Sequence, residues 1–256
     1  MFKYVEPLYK NSMILTAQVL QEHTDYAYHM LQNAYMDYSD GIISGVDIRI
    51  TDAHILVNPG LIKHNGIIYS LSKTEYLPYE HRNVQTFLRI RFLDAVECEG
   101  SVCYETELIL SEEAAEFPYE MELGRFIASS GAVLYKNQTD FYKLAVVYDN
   151  FDIRYVKYAA VKEPTVSPVV TTLFGKALLD KHTNDVYDVA FAMLCRNGQP
   201  VARENIIEYI QIKMHREYEK LSNEQIYREF EKILGRSSMT GNVVARQQPV
   251  RKVIVD

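Results

Sequence analysis

The sequence predicts an α+β protein with a long N-terminal oligomerising helix, an antiparallel β sandwich or barrel-like middle, a small C-terminal helical bundle and an extended tail. Three observations lead to this prediction. Apolar residues recur at helical spacing before residue 39, alternate in short runs from about 46 to 160, and return to helical spacing after residue 170. No helical crossover separates the β runs, which favours antiparallel pairing.

The helix prediction rests on a region without Gly or Pro that runs from residue 11 to residue 38. Asn11 or Ser12 can cap its start, and a helix of about 26 residues would be about 39 Å long. Apolar or small residues repeat in it with heptad spacing, which is typical of a helix that packs against other helices. The predicted oligomer seam consists of Leu20, Ala27, Leu31, Ala34 and Tyr38. An amphipathic helix packed on its own domain is the alternative.

Glycine-containing turns follow this helix. Asp40, Gly41, Ser44 and Gly45 are predicted to stop the helix and turn the chain. A strand is expected at 46–50 and another at 55–57. Turns are then expected at Asn58, Pro59 and Gly60 and, as a hairpin, at Asn65 and Gly66.

Further strands are expected at 87–93, 103–110, 121–128, 132–136, 142–147 and 153–158. Arg89 and Arg91 on one strand and Glu105 and Glu107 on the next are expected to form cross-strand ion pairs on a solvated face.

The helical part begins after a proline-containing stretch. Helices are expected from 171 or 172 to 195, over about 200–220, and from a capping box at Ser222 to Gly235. The predicted domains are 1–39 (arm and helix), 40–160 (β domain), 161–170 (linker), 171–235 (helical domain) and 236–256 (extended tail). The tail ends in strand-forming residues that could add to the edge of a neighbour's sheet.

Charge argues against a nucleic-acid partner. The net charge of the 256 residues is −7, and residues 1–170 carry 14 Lys and Arg against 23 Asp and Glu. An acidic body repels a phosphate backbone, and the +3 of the last 21 residues is too small to propose a nucleic-acid site. Three cysteines indicate no disulfide framework, and no apolar run predicts a signal core or a membrane span.

Residue patterns typical of catalysis or of metal or cofactor binding are missing. The sequence has no phosphate-binding glycine loop, no nucleophile elbow and no His-Glu-x-x-His motif. His54 with His64, Cys98 with Cys103, and the group Asp180, His182 and Asp185 lack the ligand number or spacing of a metal site. The prediction is therefore a protein that is not an enzyme and has no catalytic residues, no cofactor and no metal.

The stretch 35–72 resembles a known group of proteins. Its Asp-Gly-Ile-Ile-Ser-Gly turn at 40–45, Asn-Pro-Gly turn at 58–60 and Asn-Gly hairpin at 65–66 are similar to those of baseplate and tail-fibre-attachment proteins. These belong to contractile-tailed bacteriophages and to phage-tail-like bacteriocins and injection particles. The resemblance covers about 15% of the chain and rests on turn residues.

The resemblance implies a structural subunit that acts as a baseplate component or fibre adaptor through oligomerisation and docking. Its expected partners are copies of itself, with a trimer favoured, and other baseplate or tail-fibre proteins. Its expected location is a virion or phage-tail-like particle assembled in the host bacterial cytoplasm. Two alternatives stay open: a tail fibre protein that binds a glycan or receptor, and a cytosolic enzyme.

Overall fold

The chain combines helices with antiparallel strands, as the α+β prediction states. The computed structural model describes residues 16–98, 101–136, 138–218 and 220–236. The helices in these ranges are α1 (Ala17–Ala34), α2 (Pro168–Asp180), α3 (Val186–Cys195), α4 (Arg203–Met214) and α5 (Asn223–Arg236). The strands are β1 (Gly41–Gly45), β2 (Ile48–Ile50), β3 (His54–Val57), β4 (Gly60–His64), β5 (Ile67–Leu71), β6 (Glu75–Pro78), β7 (Gln85–Phe92), β8 (Val96–Cys98), β9 (Ser101–Cys103), β10 (Thr106–Ser111) and β11 (Glu120–Ile127).

The strands form several small sheets rather than the single sandwich or barrel that we expected. Their orders are β1-β4-β5, β2-β3-β6 and β10-β7-β11, with a separate β8-β9 hairpin, and every neighbouring pair is antiparallel. The reason lies at Gly45 and Val46, whose φ angles are +66° and +57°. These conformations turn the chain out of the first sheet, so that β2 pairs with β3 while β1 pairs with β4.

The strands predicted at 132–136, 142–147 and 153–158 are not formed. This region contains a 3₁₀ helix at Tyr142–Ala145 and isolated bridges instead. The buried side chain of Asn150 donates to the carbonyls of Lys143, Leu144 and Val146 at 3.2–3.4 Å. Carbonyls that accept from a side chain in this way curl the chain locally, which competes with an extended ladder.

Helix α1 is shorter than predicted at its C-terminal end. It ends at Ala34, so Tyr38 is not on the helix and pairs instead with Val161 in an isolated antiparallel bridge. The predicted start at Asn11 or Ser12 lies outside the described residues. Within the described residues, α1 has 18 residues.

The predicted helix from 171 or 172 to 195 is two helices, α2 and α3. Asp185 ends the connection between them, because its side chain accepts from the backbone N–H of Tyr187 and caps α3. His182 has a φ of +50°, which α-helix does not allow. Asp180 therefore ends α2, and His182 and Asp185 lie between the helices rather than within one.

One cluster of buried apolar side chains includes members from the strands and from α2–α5. Its helical part is built on aromatic stacks, with ring centroids 3.8 Å apart for Phe174 and Phe230 and 3.9 Å apart for Phe191 and Tyr209. Between strands and helices, Thr165, Val166 and Ser167 are buried, and Ser167 caps α2. The domain boundaries remain a prediction. The predicted tail lies outside the described residues from 237 onward.

Candidate assembly site

The end of α1, strands β1 and β4 with their turns, and residues 157–162 form one unit, which we call the junction (residues 35–45, 58–66 and 157–162). Three stretches of chain that are distant in sequence come together there. The backbone of 37–42 bonds to the backbone of 157–162, with Ser39 N–H donating to Ala160 O at 2.9 Å and Ala159 N–H to Ile42 O at 2.9 Å. The other edge of β1 pairs with strand β4.

Lys63 fixes the end of α1 to the first sheet. This residue of β4 is buried, and its ammonium donates to the main-chain oxygens of Tyr35 at 2.7 Å, Met36 at 3.2 Å and Tyr38 at 2.7 Å. Three carbonyls satisfy the three donors of an ammonium group, and a cation at a helix C-terminus also faces the negative end of the helix dipole. The direction of α1 is therefore set by a side chain of the sheet.

Asp40 ties the Asn65–Gly66 hairpin to the same point. Its Oδ2 accepts from the backbone N–H of Asn65 at 3.1 Å and lies 3.6 Å from Nδ1 of His64. Asn65 and Gly66 have φ angles of +48° and +78°, as a two-residue hairpin between β4 and β5 requires. The hairpin is thus held to the turn that follows α1.

His64 is a titratable residue of this arrangement, next to Asp40. It is buried and stacks on Phe92, with ring centroids 3.8 Å apart. Burial lowers the pKa of His64 below its ordinary value, and the nearby carboxylate of Asp40 opposes that shift. The neutral imidazole therefore fits the site better than the charged one.

Gly41 and Gly45 lie in strand β1 rather than in turns, and both are needed for close backbone approach. Gly41 has a φ of +144°, and a Cβ there would lie 2.6 Å from the backbone nitrogen of Ala159. Gly45 stands opposite Gly60, where a Cβ on Gly45 would lie 2.7 Å from the Cα of Gly60. Any side chain at these positions would push the strands apart.

The remaining motif residues shape the turn before β4. Pro59 O accepts from Val46 N–H at 3.1 Å, and Asn58 N–H donates to Asp47 O at 3.0 Å. The side chain of Asn58 accepts from Thr74 at 3.2 Å. Ser44 is exposed on β1. The structure therefore brings all nine motif residues into or next to the junction: Asp40, Gly41, Ser44, Gly45, Asn58, Pro59, Gly60, Asn65 and Gly66.

The predicted seam residues of α1 are largely uncovered. Leu20 is 50% exposed, Ala27 and Ala34 are exposed, and Leu31 is half-buried. Met30 next to the seam is 57% exposed. Tyr38, the fifth predicted seam residue, is half-buried in the junction and does not continue the helical row. The described part of the chain therefore leaves most of the described apolar side chains of α1 uncovered.

A second uncovered apolar surface lies on α3, and its residues are Val186, Tyr187, Val189, Met193 and Leu194. The exposed fractions are 78% for Val186 and 63% for Met193. Asp188, the charged residue of this helix, is buried and bonded to Tyr209, Thr183 and Lys213. The outward side of α3 is thus entirely apolar, which is unusual for a helix surrounded by water.

The candidate metal ligands do not converge. Within the described part of the chain, no group of three or more His, Cys, Asp or Glu side chains is placed to hold a metal ion. In the β8–β9 hairpin, Cys98 aligns with Ser101 and Cys103 with Val96, so the two cysteines are not cross-strand partners.

The comparisons identify no family. No protein-family model matches the sequence, and no curated protein matches it. Among solved structures, the chain is similar to one described as the crystal structure of TssK, with 12% identity and a TM-score of 0.43. The alignment covers 96% of this chain and 74% of TssK. Because a TM-score below 0.5 does not establish a common fold, this similarity bears on neither the family nor the function of the chain.

In the part of the chain that the structure describes, no helix has the length and hydropathy needed to cross a membrane.

Two polar features were missed from the sequence. Lys63 looks like an ordinary strand residue, and only the position of α1 makes it a cap. Arg89 was expected on a solvated face but is buried and pairs with Glu120 at 2.5 Å, whereas Arg91 does reach Glu107 at 3.5 Å. Arg89 could have been suspected of burial because it lies in the middle of the apolar strand β7. Its partner, Glu120 on β11, could not be predicted from the sequence of β7.

Proposed function

We propose that this chain is a structural subunit of a contractile phage-tail-like particle, either a baseplate component or a fibre adaptor. It acts by self-association through α1, with a trimer favoured, and by docking to other baseplate or tail-fibre proteins. It carries out no chemical reaction and holds no cofactor. The particle assembles in the host bacterial cytoplasm.

The observation that carries this proposal is an apolar helix held in a fixed direction but left uncovered. Lys63 and the paired backbones of 37–42 and 157–162 fix the end of α1. Leu20 and Met30 stay at least half exposed. Burying a leucine side chain contributes about 1.5–3 kcal/mol, so such a row favours association with other helices. A row of this kind with heptad spacing suits a bundle between copies.

The motif residues support the same role. The turn and glycine residues of 40–66 resemble those of baseplate and fibre-attachment proteins. In this chain they build a compact unit at the base of an exposed helix. The apolar outer side of α3 offers a second surface, at which a different protein could dock. Two separate apolar surfaces fit a subunit with both identical and non-identical neighbours.

Self-association is tested by measuring the molar mass of the full chain in solution by light scattering. The wild type is compared with a variant that carries charged residues in the seam. We expect an oligomer, and we expect Leu20→Glu with Leu31→Glu to raise the dissociation constant at least about 100-fold, since two buried apolar contacts are lost. His29→Glu is the matched control, because His29 is exposed and lies about 180° around the helix from Leu20 at 100° per residue. A wild-type monomer at tens of micromolar, or equal weakening by the control, would refute self-association through α1.

The particle itself tests the rest of the proposal. Sheathed particles purified from the source cells should contain this chain in a fixed, low copy number, measured by quantitative mass spectrometry. Deletion of its gene should give particles that lack fibres or fail to assemble, as seen by electron microscopy. Complete particles of normal composition in the deletion strain would contradict the proposed role.

A further inference from the structure

A groove in the described part of the chain is bordered by the free edges of three sheets. It has a volume of about 890 Å³. Stretches of β5, β6 and β10 contribute most of its lining, and the other lining residues include Tyr28 of α1 and Val102 of β9. Each of these strands is the last in its sheet, so within the described residues no further strand pairs with it. This groove is separate from the seam of α1 and from the outer side of α3.

The end strands meet the groove along their edges, and buried residues of the inner strands, Val57, Ile62 and Ile90, also line it. All five residues of β5 line it, as do three consecutive residues of β6, 75–77, and three of β10, 106–108. Successive residues of a strand point to opposite faces, so a surface that touches a whole run of them lies along the strand's edge. Unpaired N–H and C=O groups along such an edge can accept an added strand.

Side chains of the groove define what kind of strand would fit. Its walls are apolar, with Ile68 and Leu71 from β5, Leu77 from β6 and Leu108 from β10 among them. The charged residues that line it, within the described chain, are Glu75 and Glu107, which belong to different sheets. An extended segment with apolar residues on both faces and one cation on each face would match both properties.

The chain itself contains such a segment at 250–255, Val-Arg-Lys-Val-Ile-Val, outside the described residues. As a strand it would place Arg251 and Lys252 on opposite faces. Glu75 could receive one cation, and Glu107, whose pair with Arg91 at 3.5 Å is exposed, could receive the other. Six residues would extend about 20 Å, against about 17 Å for the five residues of β5. The 13 residues between Arg236 and Val250 can span up to about 45 Å, enough to cross the body or reach a neighbouring copy.

We infer that segment 250–255 binds in this groove as an additional β strand alongside β5. Backbone hydrogen bonds to the edge hold it, the apolar walls take its valines and isoleucine, and the two glutamates take its cations. The inference is independent of the proposed function, because it holds whether the segment comes from the same chain or from another copy.

The test is photo-crosslinking in the full chain, with p-benzoylphenylalanine in place of Val253. Mass spectrometry of the adducts should locate them on residues 67–71, 75–77 or 106–108. The same probe in place of Met239, near the end of α5, should give at least about tenfold fewer groove adducts. Adducts spread over other surfaces, or none above background, would overturn the inference. Mixing labelled and unlabelled chains then shows which copy donates the segment.

Charge reversal gives an independent readout. Glu75→Lys with Glu107→Lys should lower the groove adducts about three- to tenfold, since each partly exposed ion pair contributes modestly. Adding Arg251→Glu with Lys252→Glu should restore them. Glu112→Lys with Glu113→Lys makes the same change in net charge outside the groove and should leave the yield unchanged. Equal yields in all four proteins, with unfolding midpoints that show them folded, would refute the role of the glutamates.

Discussion

The ammonium of Lys63 lies 2.7 Å from the main-chain oxygen of Tyr38, and this contact joins a strand to the segment that follows α1. Two further carbonyls, those of Tyr35 and Met36, accept from the same group. The helix therefore does not project from a loose connection. Its base is held by a buried cation whose donors are all used.

Lys63→Met should destabilise the chain by about 2–4 kcal/mol, because three carbonyls at the end of α1 lose their donor in a buried place. The free energy of unfolding from urea titrations measures this. Lys73→Met, at an exposed position between β5 and β6, should stay within about 0.5 kcal/mol of wild type. Equal effects of the two substitutions would show that Lys63 does not cap the helix.

Gly41→Ala should cost at least about 3 kcal/mol. Its φ of +144° belongs to a region that is essentially restricted to glycine, and the new Cβ would meet the backbone of Ala159. Gly235→Ala is the control, because no atom lies within 4 Å of a Cβ there and its helical backbone favours alanine by up to about 1 kcal/mol. Urea or thermal unfolding of both variants decides the matter. A Gly41→Ala protein as stable as wild type would contradict the close approach of β1 to residues 157–159.

His64 should make stability depend on pH. Because its folded-state pKa is lowered by burial, the unfolded chain binds the proton more readily. The contribution of His64 to the free energy of unfolding is therefore complete above its unfolded-state pKa of about 6.5. This contribution is lost as the pH falls from there toward the folded-state pKa, by at most about 1.4 kcal/mol per pH unit. The measurement is the difference in unfolding free energy between wild type and His64→Gln at pH 7.5, 6.5 and 5.5. A difference that stays constant over this range would refute the prediction.

Glu120→Gln should destabilise the chain by about 3–5 kcal/mol, because it leaves the charge of buried Arg89 without its counter-ion. Glu120 also accepts from Arg91 at 2.9 Å and from the backbone N–H of Glu116 at 3.1 Å. Glu107→Gln is the matched control and should cost less than about 1 kcal/mol, since its pair with Arg91 is exposed. Chemical denaturation of both variants tests this, and equal losses would show that burial adds nothing to the pair.

Replacing both members of the buried pair separates attraction from desolvation. Arg89→Met with Glu120→Met removes both charges and should be less destabilising than Glu120→Gln alone. If the double variant instead loses more stability than the single one, the attraction within the pair stabilises the fold by more than the desolvation of the two charges costs.

Local signals predicted the local structure well. The Asn65–Gly66 turn and the approximate extents of β7 and α5 follow from residue types that act within a few positions. Sheet membership did not follow, because Gly45 and Val46 redirect the chain and pairing then depends on distant partners. Strands expected at 132–158 were absent because a buried Asn150 takes carbonyls that a ladder would need. Hydrogen bonds from one side chain to nearby carbonyls leave no periodic trace in a sequence.

The geometry of the candidate site was not predictable from its residue types. The motif glycines stood out as turn formers, yet Gly41 and Gly45 lie within a strand and serve close packing. Tyr38 was assigned to the seam by its spacing alone, and the capping contact with Lys63 removes it from the helix. The assembly role of these residues remains a proposal.

The pairing of residues 37–42 with 157–162 determines where mechanical load would travel. Four backbone hydrogen bonds connect the two segments, and α2 begins only a few residues after the second. Tension applied along α1 would pass across these bonds directly to the C-terminal helices. It would thus bypass the 114 residues of intervening sheet and loop that separate the two segments in sequence. In a particle that contracts, such a short load path would let a pull on one neighbour reach another while the sheets stay folded.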